Sequence, residues 1–258
     1  MRIITCNTNG IRSAANKGFF PWLATQQADV VCIQETKAQK EQLTDAIFHP
    51  EGYHCYYFDA LKKGYSGTAL YCKQEPLNVT TGLGFDICDE EGRWIQADFA
   101  QTRVISLYLP SGSSGPERQV RKFAFLDALL PHLQRLAKDI SRNTIVCADW
   151  NICHTPLDLK NWRGNQKNSR FLPEERQWMD DLLNAHGFTD SFRELHPELA
   201  QYTWWSNRGQ AYANNVGWRL DYQLVTEGLR GKATQAAVYT NEKFSDHAPL
   251  IMDYHATL

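Results

Sequence analysis

No stretch of this 258-residue sequence is apolar for long enough to cross a membrane or to form the core of a signal peptide. The first residues instead lead directly into a short strand-like run, "IITC". With 43% hydrophobic and 22% charged residues, the composition is typical of a globular domain rather than of a membrane or disordered chain. We therefore expect a cytoplasmic protein that does not associate with membranes.

The cysteines lack any pattern of disulfides or zinc sites. There are seven of them, an odd number, and no two are spaced as CxxC. Most lie in apolar runs such as "VVCIQ" and "LYCK", where a thiol behaves as a small hydrophobic side chain. We predict buried, reduced thiols.

Internal repeats, low-complexity tracts and linker-like segments are absent as well, so we expect residues 1–258 to form a single domain. The formal net charge of −2 excludes a general attraction to polyanions. The charges are less evenly placed than this total indicates, because five basic residues and only two acidic ones lie between Lys160 and Arg176. One face of the protein can therefore be basic.

Ten segments have the apolar, β-branched composition of strands, whereas helical segments are fewer. The predicted strands are 2–6, 29–34, 53–58, 67–72, 94–99, 103–109, 144–149, 219–225, 233–239 and 248–254. The predicted helices are 117–138, a segment that starts after Pro173, and 19–27. The first of these carries apolar residues at three- and four-residue steps, namely Val120, Phe123, Leu126, Leu130, Leu133 and Ala137. Many strands with few crossover helices predict an α/β fold of two packed sheets with helices outside.

Polar side chains repeatedly follow these apolar strands. Asp149 follows "NTIVCA", Glu35 ends "DVVCIQET", and Asp221 lies in "GWRLDYQLV". A buried carboxylate costs free energy unless a charge or a hydrogen bond meets it, although each residue alone can simply cap its own strand. The same placement holds for Asn7, Asn9, Tyr108, Asn151, Asp246 and His247. This recurrence predicts one shared site.

The residue types limit the chemistry of that site. Its four carboxylates and three carboxamides cannot gather without a counter-charge, because like charges at short range raise one another's pKa values. A hard cation, Mg²⁺ or alternatively Mn²⁺, takes such oxygen ligands, and Glu35 is the best single candidate. Asp221 and the adjacent Asp246–His247 indicate a carboxylate that orients an imidazole. No G-x-S-x-G, HExxH or Walker motif indicates another chemistry, so we predict metal-assisted hydrolysis of phosphate esters.

Nine motifs occur in one order between residues 6 and 250: "CNTNGIR", "IQETK", "KGYSGTALY", "YLPSG", "ADWN", "GNQKN", "YTWW", "NVGWRLDY" and "SDHAPL". With them the chain resembles exonuclease III-type apurinic/apyrimidinic (AP) endonucleases of the endonuclease/exonuclease/phosphatase superfamily. "SDH" is shared across the superfamily, whereas "GNQKN" and "NVGWRLDY" are specific to its DNA-repair branch. The resemblance implies a four-layered, DNase I-like α/β sandwich in which two mixed sheets are flanked by helices, as one catalytic domain over residues 1–258.

The implied activity is base-excision repair. The enzyme would cleave double-stranded DNA on the 5′ side of an abasic site by Mg²⁺-dependent attack of water. The side activities would be those of a 3′-phosphodiesterase, a 3′-phosphatase and a 3′–5′ exonuclease. Its partners would be duplexes with abasic sites or blocked 3′ ends, bound by a monomer.

The resemblance also implies roles for single side chains. The catalytic residues would be Asn7, Tyr108, Asp149, Asn151, Asp221 and His247. The metal ligands would be Glu35, Asn7, Asn9, Asp149, Asn151, Asp246 and His247. Tyr108 would contact the scissile phosphate, while Asp149 would orient or activate the water, and His247 would bind the phosphate or accept a proton. Either Asp149 or His247 can be the general base, and one metal ion or two can operate.

DNA binding is implied for loop residues and for one aromatic pocket. The contacts to the DNA backbone would come from Arg12, Lys63, Tyr65, Asn165, Lys167, Asn168 and Arg170. Such contacts position a duplex without reading its sequence. Trp204, Trp218 and Leu220 match the apolar pocket that receives a flipped-out deoxyribose, whereas we assign Trp205 to the core. The loops 161–171 and 203–219, which carry many of these residues, are long enough to be functional.

Several residues depart from the family pattern. Ser111 stands where Asn is common, and Ser113 and Ser114 stand where some relatives carry a basic intercalating residue. Ala148 stands where Gly is usual, which matters only if its φ angle is positive. Arg170 stands where relatives usually have a small residue, beside the pocket, so it either adds a phosphate contact or obstructs the pocket. Obstruction would favour an alternative function, 3′-end processing with weak abasic cleavage.

Two further alternatives belong to other classes. A small-molecule phosphatase of the same superfamily would share the metal residues, but it gives no reason for "GNQKN" or "NVGWRLDY". A non-catalytic DNA-binding module would have lost part of the catalytic set, and Glu35, Asp149, Asp221 and His247 are all present.

Overall fold

The structure, a computed structural model, describes all residues from Met1 to Leu258. The strands are β1 (Arg2–Asn7), β2 (Val30–Gln34), β3 (His54–Phe58), β4 (Thr68–Cys72), β5 (Asn78–Thr81), β6 (Trp94–Asp98), β7 (Thr102–Tyr108), β8 (Asn143–Asp149), β9 (Phe188–Asp190), β10 (Trp204–Trp205), β11 (Gly217–Trp218), β12 (Asp221–Thr226), β13 (Ala233–Val238) and β14 (Leu250–Tyr254). The helices are α1 (Ile11–Asn16), α2 (Phe19–Gln26), α3 (Asp86–Asp89), α4 (Pro116–Lys138), α5 (Trp162–Asn165), α6 (Pro173–Asn184) and α7 (Ser191–Leu195). Short 3₁₀ helices lie at Lys40–Gln42, Ala46–Phe48, Pro156–Asp158 and Glu227–Leu229.

Two six-stranded sheets carry the fold. The first has the order β13-β14-β1-β2-β4-β3 and the second β5-β6-β7-β8-β12-β9. In each sheet one central pair is parallel, β1 with β2 and β7 with β8, and the other pairs are antiparallel. Both sheets are therefore mixed, as predicted.

Three apolar clusters hold the layers together. The central one joins the facing sides of the two sheets, with Ile3 and Leu70 from the first sheet against Val104 and Ile145 from the second. A second cluster packs α1 and α2 on the outside of the first sheet, and a third packs α4 and α6 on the outside of the second. Burial of apolar area is the main stabilising term in folding, and these clusters lie between successive layers. The layers follow the order helix, sheet, sheet and helix, which confirms the predicted four-layered sandwich.

All ten predicted strands occur, with bounds that differ by two residues or fewer. Sequence patterns missed β5, β9, β10 and β11, which are two to four residues long and too short for a periodic signal. The two segments predicted as loops are partly ordered. Residues 161–171 contain α5, and residues 203–219 contain the antiparallel ribbon of β10 and β11.

The three predicted helices are present, but the buried stripe of α4 was wrong in part. Leu126 and Leu133 are buried as expected, whereas Val120 is 68% exposed. The buried face is completed by Phe125, Leu129 and, unexpectedly, Lys122. None of the helices combines the length and the hydropathy that a membrane crossing requires.

All seven cysteines are free, which confirms the predicted reduced thiols. Six of them are buried, and Cys55 is half-buried. They lie within or beside apolar clusters, and burial raises the pKa of several, including Cys55 and Cys72, each to about 12. The cysteines are therefore core side chains.

The predicted arrangement of polar residues after strands was wrong for two segments. Asp221 is the first residue of β12, and His247 lies just before β14. Because β12 is antiparallel to β8 and β14 is antiparallel to β1, these strand starts lie at the same edge as the ends of β1 and β8. The shared edge follows from strand direction and not from a repeated sequence pattern.

Candidate active site

The site lies where the parallel strands of both sheets end. In the second sheet, Asp149 at the end of β8 is in register with Tyr108 on β7 and with Asp221 on β12. In the first sheet, Asn7 ends β1 and Glu35 directly follows β2. A hydrogen bond of 2.8 Å from Asn7 Nδ2 to Asp149 Oδ2 joins the two sheets at this edge.

Asp149 is buried and is met by hydrogen bonds on both carboxylate oxygens. Oδ2 accepts from Asn7, and Oδ1 accepts from the backbone N–H of Asn151 at 2.9 Å. Asn151 has a φ angle of 49°, in the left-handed region, and its Nδ2 donates to the carbonyl of Leu109 at 2.9 Å. The side-chain oxygen of Asn151 is buried without a partner. An unpaired buried acceptor is costly, so this oxygen is available to a ligand.

His247 lies between two carboxylates. Its Nδ1 is 2.8 Å from Asp221 Oδ2, and its Nε2 is 3.7 Å from Asp149 Oδ2. Burial alone would lower the pKa of His247, but the charges of Asp221 and Asp149 outweigh it and raise the pKa to about 10. Both carboxylates therefore favour the protonated form of the imidazole. For Asp149, burial raises the pKa to about 6 against the opposing charge of His247.

Glu35 belongs to a second group of contacts on the first sheet. The Lys37 ammonium lies 3.0 Å from Glu35 Oε1 and also donates to Asn9 Oδ1. Asn9 Nδ2 in turn donates to Asp246 Oδ1 at 3.0 Å. Glu35, Lys37 and Asn9 all have positive φ angles, of 57°, 50° and 45°. These contacts run from Glu35 to Asp246, which is adjacent to His247 in the chain. The Glu35 group therefore lies next to the group formed by Asp149, Asp221 and His247.

The donor set fits a hard cation, although the predicted ligands do not form one cluster. Asp149, Asp221 and His247 offer ligand atoms within 4.8 Å of one another, and this group includes Asp221 but not Glu35. Asp221 is bound to His247, so Asp149 is the carboxylate of this group that faces the remaining nitrogen of the imidazole. Around Glu35 and Asn9, oxygen donors already hold one cation, the Lys37 ammonium. Oxygen atoms of this kind suit Mg²⁺ or Mn²⁺.

Tyr108 rests on a buried arginine that sequence patterns did not single out. Arg93 is 1% exposed, and its Nη1 donates to the carbonyl of Tyr108 at 2.9 Å. Its guanidinium lies 4.7 Å from the ring centre of Tyr108, and its Nη2 donates to the Tyr65 hydroxyl at 3.2 Å. Burial raises the pKa of Tyr108, so the phenol is protonated and can donate. The one sequence feature that could have indicated a role for Arg93 is its position directly before β6.

A cleft of about 720 Å³ that contains two tryptophans lies beside the polar residues of the site; we call it the aromatic cleft. Trp204 lies between the cleft and those residues, because it lines the cleft and its ring centre is 6.4 Å from that of His247. Its lining includes six of the predicted DNA-binding residues, Asn165, Lys167, Asn168, Arg170, Trp204 and Trp218. Arg208, Gln119 and Ser113 also line it and were not predicted. The cleft is thus built from the two long loops and the start of α4.

Of the three residues predicted to form the pocket, Trp204 and Trp218 line the cleft, whereas Leu220 does not. Trp204 and Trp218 pair across β10 and β11, with ring centres 6.2 Å apart, and both line the cleft. Leu220 is 0% exposed and packs beneath them, so it supports the cleft from below and does not line it. Trp205 is buried, which confirms its assignment to the core. Arg12 and Lys63 are exposed, and Tyr65 is half-buried, outside the cleft lining.

The departures at Ala148 and Arg170 have different consequences. Ala148 is a regular β8 residue without a positive φ angle, so its methyl group causes no strain. Arg170 has a φ angle of 80°, and its guanidinium lies 4.4 Å from the ring centre of Trp204. Its Nε is buried without a partner. Arg170 therefore covers one of the two tryptophans of the cleft.

Comparisons with known proteins agree with this geometry. Residues 4–247 match the Endonuclease/Exonuclease/phosphatase family. The chain is 40% identical to the exodeoxyribonuclease of Bacillus subtilis, over 97% of this chain and 98% of that protein. It is also 40% identical to the DNA repair nuclease APEX1 of Danio rerio, over 98% of this chain and 81% of the relative. An AP endonuclease structure from Archaeoglobus fulgidus superimposes with a TM-score of 0.90 at 30% identity, covering 99% of this chain and 100% of the other.

Proposed function

The chain belongs to the endonuclease/exonuclease/phosphatase family as a DNA-hydrolysing nuclease of the AP endonuclease/exodeoxyribonuclease type, and we propose that it cleaves duplex DNA on the 5′ side of abasic sites. We propose that all 258 residues act as one catalytic domain, because the site takes residues from both sheets. The observation that carries the proposal is the facing pair of Asp149 Oδ2 and His247 Nε2, 3.7 Å apart beside the aromatic cleft. A carboxylate next to an imidazolium can orient a water towards a phosphate that the imidazolium binds.

Asp149 is the proposed general base. Its pKa, which burial raises to about 6, leaves it deprotonated at neutral pH and basic enough to accept a proton from water. Asn7 and the backbone of Asn151 fix its two oxygens, so the carboxylate is oriented before substrate binds. The unpaired side-chain oxygen of Asn151 provides a second acceptor for the attacking water.

His247 is the proposed phosphate-binding cation. A pKa of about 10 keeps its ring protonated, which supports Asp149 rather than His247 as the base. Asp221 fixes the ring through Nδ1, and Nε2–H is left to donate to a phosphate oxygen. Tyr108, whose phenol is protonated, is placed by Arg93 to donate to the same phosphate.

The family is metal-dependent, and Mg²⁺ is the proposed ion, with Mn²⁺ as the alternative. We propose Glu35 as its main ligand, with Asn9 and Asp246 on the same side and Asp149 on the other. When bound there, the ion would neutralise charge on the phosphate and polarise the bond to be broken.

A duplex with one tetrahydrofuran abasic analogue tests the proposal. We expect incision on the 5′ side of the analogue, a 3′-hydroxyl product, and complete loss of turnover in EDTA. The same duplex without the analogue is the control. No incision, together with brisk release of phosphate from a 3′-phosphate end, would reject AP endonuclease activity as the main function.

Arg170 favours a second candidate function, 3′-end processing with weak abasic cleavage. Its guanidinium covers Trp204, so an extruded sugar would have to displace it from the cleft. A frayed 3′ end requires no such extrusion, and the cationic side chain can instead contact its phosphate. The positive φ angle at this position suits glycine, so Arg170→Gly removes the obstruction without straining the backbone.

The ratio of abasic incision to 3′-phosphate release separates the two candidates. If Arg170 obstructs the cleft, Arg170→Gly raises this ratio by about tenfold, the effect of a contact of about 1.4 kcal/mol. Arg163→Ala is a matched control, because Arg163 lies 4.6 Å from the ring centre of Trp162 but outside the cleft lining. An unchanged ratio in Arg170→Gly would leave Arg170 without a part in substrate choice.

A further inference from the structure

A completely buried ion pair lies behind the site and takes no part in the chemistry proposed above. Lys122 on α4 and Glu175 on α6 are in direct contact, and both side chains are 0% exposed. Removing two charges from water is costly, and an apolar pair of similar volume often packs as stably. The pair therefore indicates a requirement other than stability.

Each charged group of this pair makes a second contact to a loop of the site. Lys122 Nζ donates to the backbone carbonyl of Asn151 at 2.6 Å. Glu175 Oε2 accepts from the backbone N–H of Leu172 at 3.0 Å, and Oε1 accepts from Gln119 at 3.0 Å. The ion pair thus joins the loop after β8 to the pocket loop, residues 165–172, which lines the aromatic cleft.

Both joined loops contain a residue in a strained backbone conformation. Asn151 has a φ angle of 49° and Arg170 one of 80°, and neither is glycine. Such conformations cost free energy and persist only where surrounding contacts hold them. At Asn151 the bond from Lys122 holds the carbonyl, while the N–H is held by Asp149 Oδ1.

We propose that Lys122 and Glu175 are positioning residues that hold Asn151 against Asp149 and set the position of the pocket loop relative to it. The inference rests on the proposed function, because it gives Asn151 and Asp149 their catalytic roles. It assigns the buried pair to catalysis without direct contact with the substrate. A misplacement of about 1 Å at such a site can reduce the rate about 100-fold.

The test is the double variant Lys122→Met/Glu175→Gln, which keeps the side-chain volumes and leaves no unpaired charge. The amide introduced by Glu175→Gln retains an oxygen for the N–H of Leu172, so the main loss is the bond to Asn151. We expect kcat on the preferred DNA substrate to fall at least about tenfold, with KM changed by less than about threefold. Hydrogen–deuterium exchange should become faster in segments 147–155 and 165–172.

The matched control is Arg103→Met/Asp98→Asn. This pair is also buried, with Arg103 Nε 2.7 Å from Asp98 Oδ1, but it lies at the far end of β6 and β7 from Tyr108. We expect the control to lose stability without a change in kcat or in exchange of the two loops. A wild-type kcat in the folded Lys122→Met/Glu175→Gln variant would overturn the proposal, as would a rise in KM alone.

If the double variant does not fold, Lys122→Met alone removes the bond to Asn151 and keeps the contacts of Glu175 to Leu172 and Gln119. The same readouts then apply, and unchanged kcat and loop exchange would overturn the proposal. Absence of any DNA cleavage by the wild type would instead reject the proposed function. The exchange measurement tests the two positioning residues independently of that result.

Discussion

Nδ1 of His247 lies 2.8 Å from Oδ2 of Asp221 at the edge of the second sheet. Asp221 is fully buried, and the same oxygen accepts from the Thr203 hydroxyl at 2.6 Å. The carboxylate is therefore fixed, and it fixes the imidazole in turn. The opposite ring nitrogen then points towards Asp149, which gives the site its facing pair of charges.

Asp149→Asn is expected to separate binding from hydrolysis. An amide cannot accept the proton of the attacking water, so the single-turnover rate should fall at least about 100-fold. DNA affinity, measured by fluorescence anisotropy in EDTA, should stay within about threefold of wild type, because Asn has the shape of Asp and its amide oxygen still accepts one of the two hydrogen bonds that Asp149 receives. Asp180→Asn, at a half-exposed carboxylate bound to His154, is the control. Near-wild-type turnover by Asp149→Asn would contradict its role as the base.

The pH dependence of kcat is expected to reflect the same two groups. Asp149 must be deprotonated, so the rate should fall as the pH drops below about 6, the pKa that burial produces. His247 must be protonated, so the rate should fall again above about pH 10. A pH–rate profile of the wild type tests both limbs, and His247→Gln should remove the alkaline one. An alkaline limb that persists in His247→Gln would belong to another group.

Titration of His247 should lower the free energy of unfolding as the pH rises. Its folded-state pKa is raised from 6.5 to about 10, so its stabilising contribution is complete below pH 6.5 and is lost as the pH rises through 10. Urea unfolding between about pH 6 and about pH 10 should therefore show a decline in the wild type that is smaller in His247→Gln. Equal declines in the two proteins would mean that the imidazolium is not stabilised by its two carboxylates.

Metal removal should affect turnover but not the fold. EDTA is expected to abolish cleavage, and added Mg²⁺ to restore it, because the phosphate charge would otherwise stay unneutralised. Glu35→Gln should raise the Mg²⁺ concentration for half-maximal rate at least about tenfold. Glu227→Gln, at an exposed carboxylate paired with Arg230, serves as a charge-matched control. An unchanged Mg²⁺ requirement in Glu35→Gln would remove Glu35 from the ligand set.

The buried network beneath the ribbon of β10 and β11 should dominate stability. Asp158 is 0% exposed and binds Arg219 at 2.7 Å and Arg193 at 2.5 Å. Burial alone would raise the pKa of Asp158, but the two arginines outweigh it and lower the pKa to about 2. Asp158→Asn leaves buried arginine charge uncompensated, so it should cost about 3–5 kcal/mol of unfolding free energy.

The half-exposed Asp180, which binds His154, is again the comparison, since Asp180→Asn should cost less than about 1 kcal/mol. Urea denaturation of the two variants at neutral pH measures both costs. Similar losses would mean that the arginines reach other partners or water once Asp158 is neutral. Asp190, which binds Arg219 at 2.7 Å, is the nearest such partner.

The fold class could be predicted from the sequence, and so could most residues of the candidate site. Local periodicity predicts strands and helices only when they are long enough to show a repeat. The ten longer strands were therefore predicted, whereas the two-residue strands of the ribbon were not. Asp149 and Glu35 were identifiable because a charged group at the end of an apolar strand is costly and needs a reason. The motifs then indicated the family, which the comparisons confirm.

Only the tertiary structure decided which of these side chains meet. Asp149 contacts Asn7 across 142 positions of the chain, and that contact depends on how the two sheets pack and not on either local sequence. The same holds for Leu220, which packs beneath the cleft, and for the ion pair of Lys122 and Glu175, a lysine inside an otherwise apolar helix face. Local sequence determines the elements because backbone propensity and burial period act over a few residues. Partners are decided by long-range packing, where register and strand direction place residues that the sequence holds far apart.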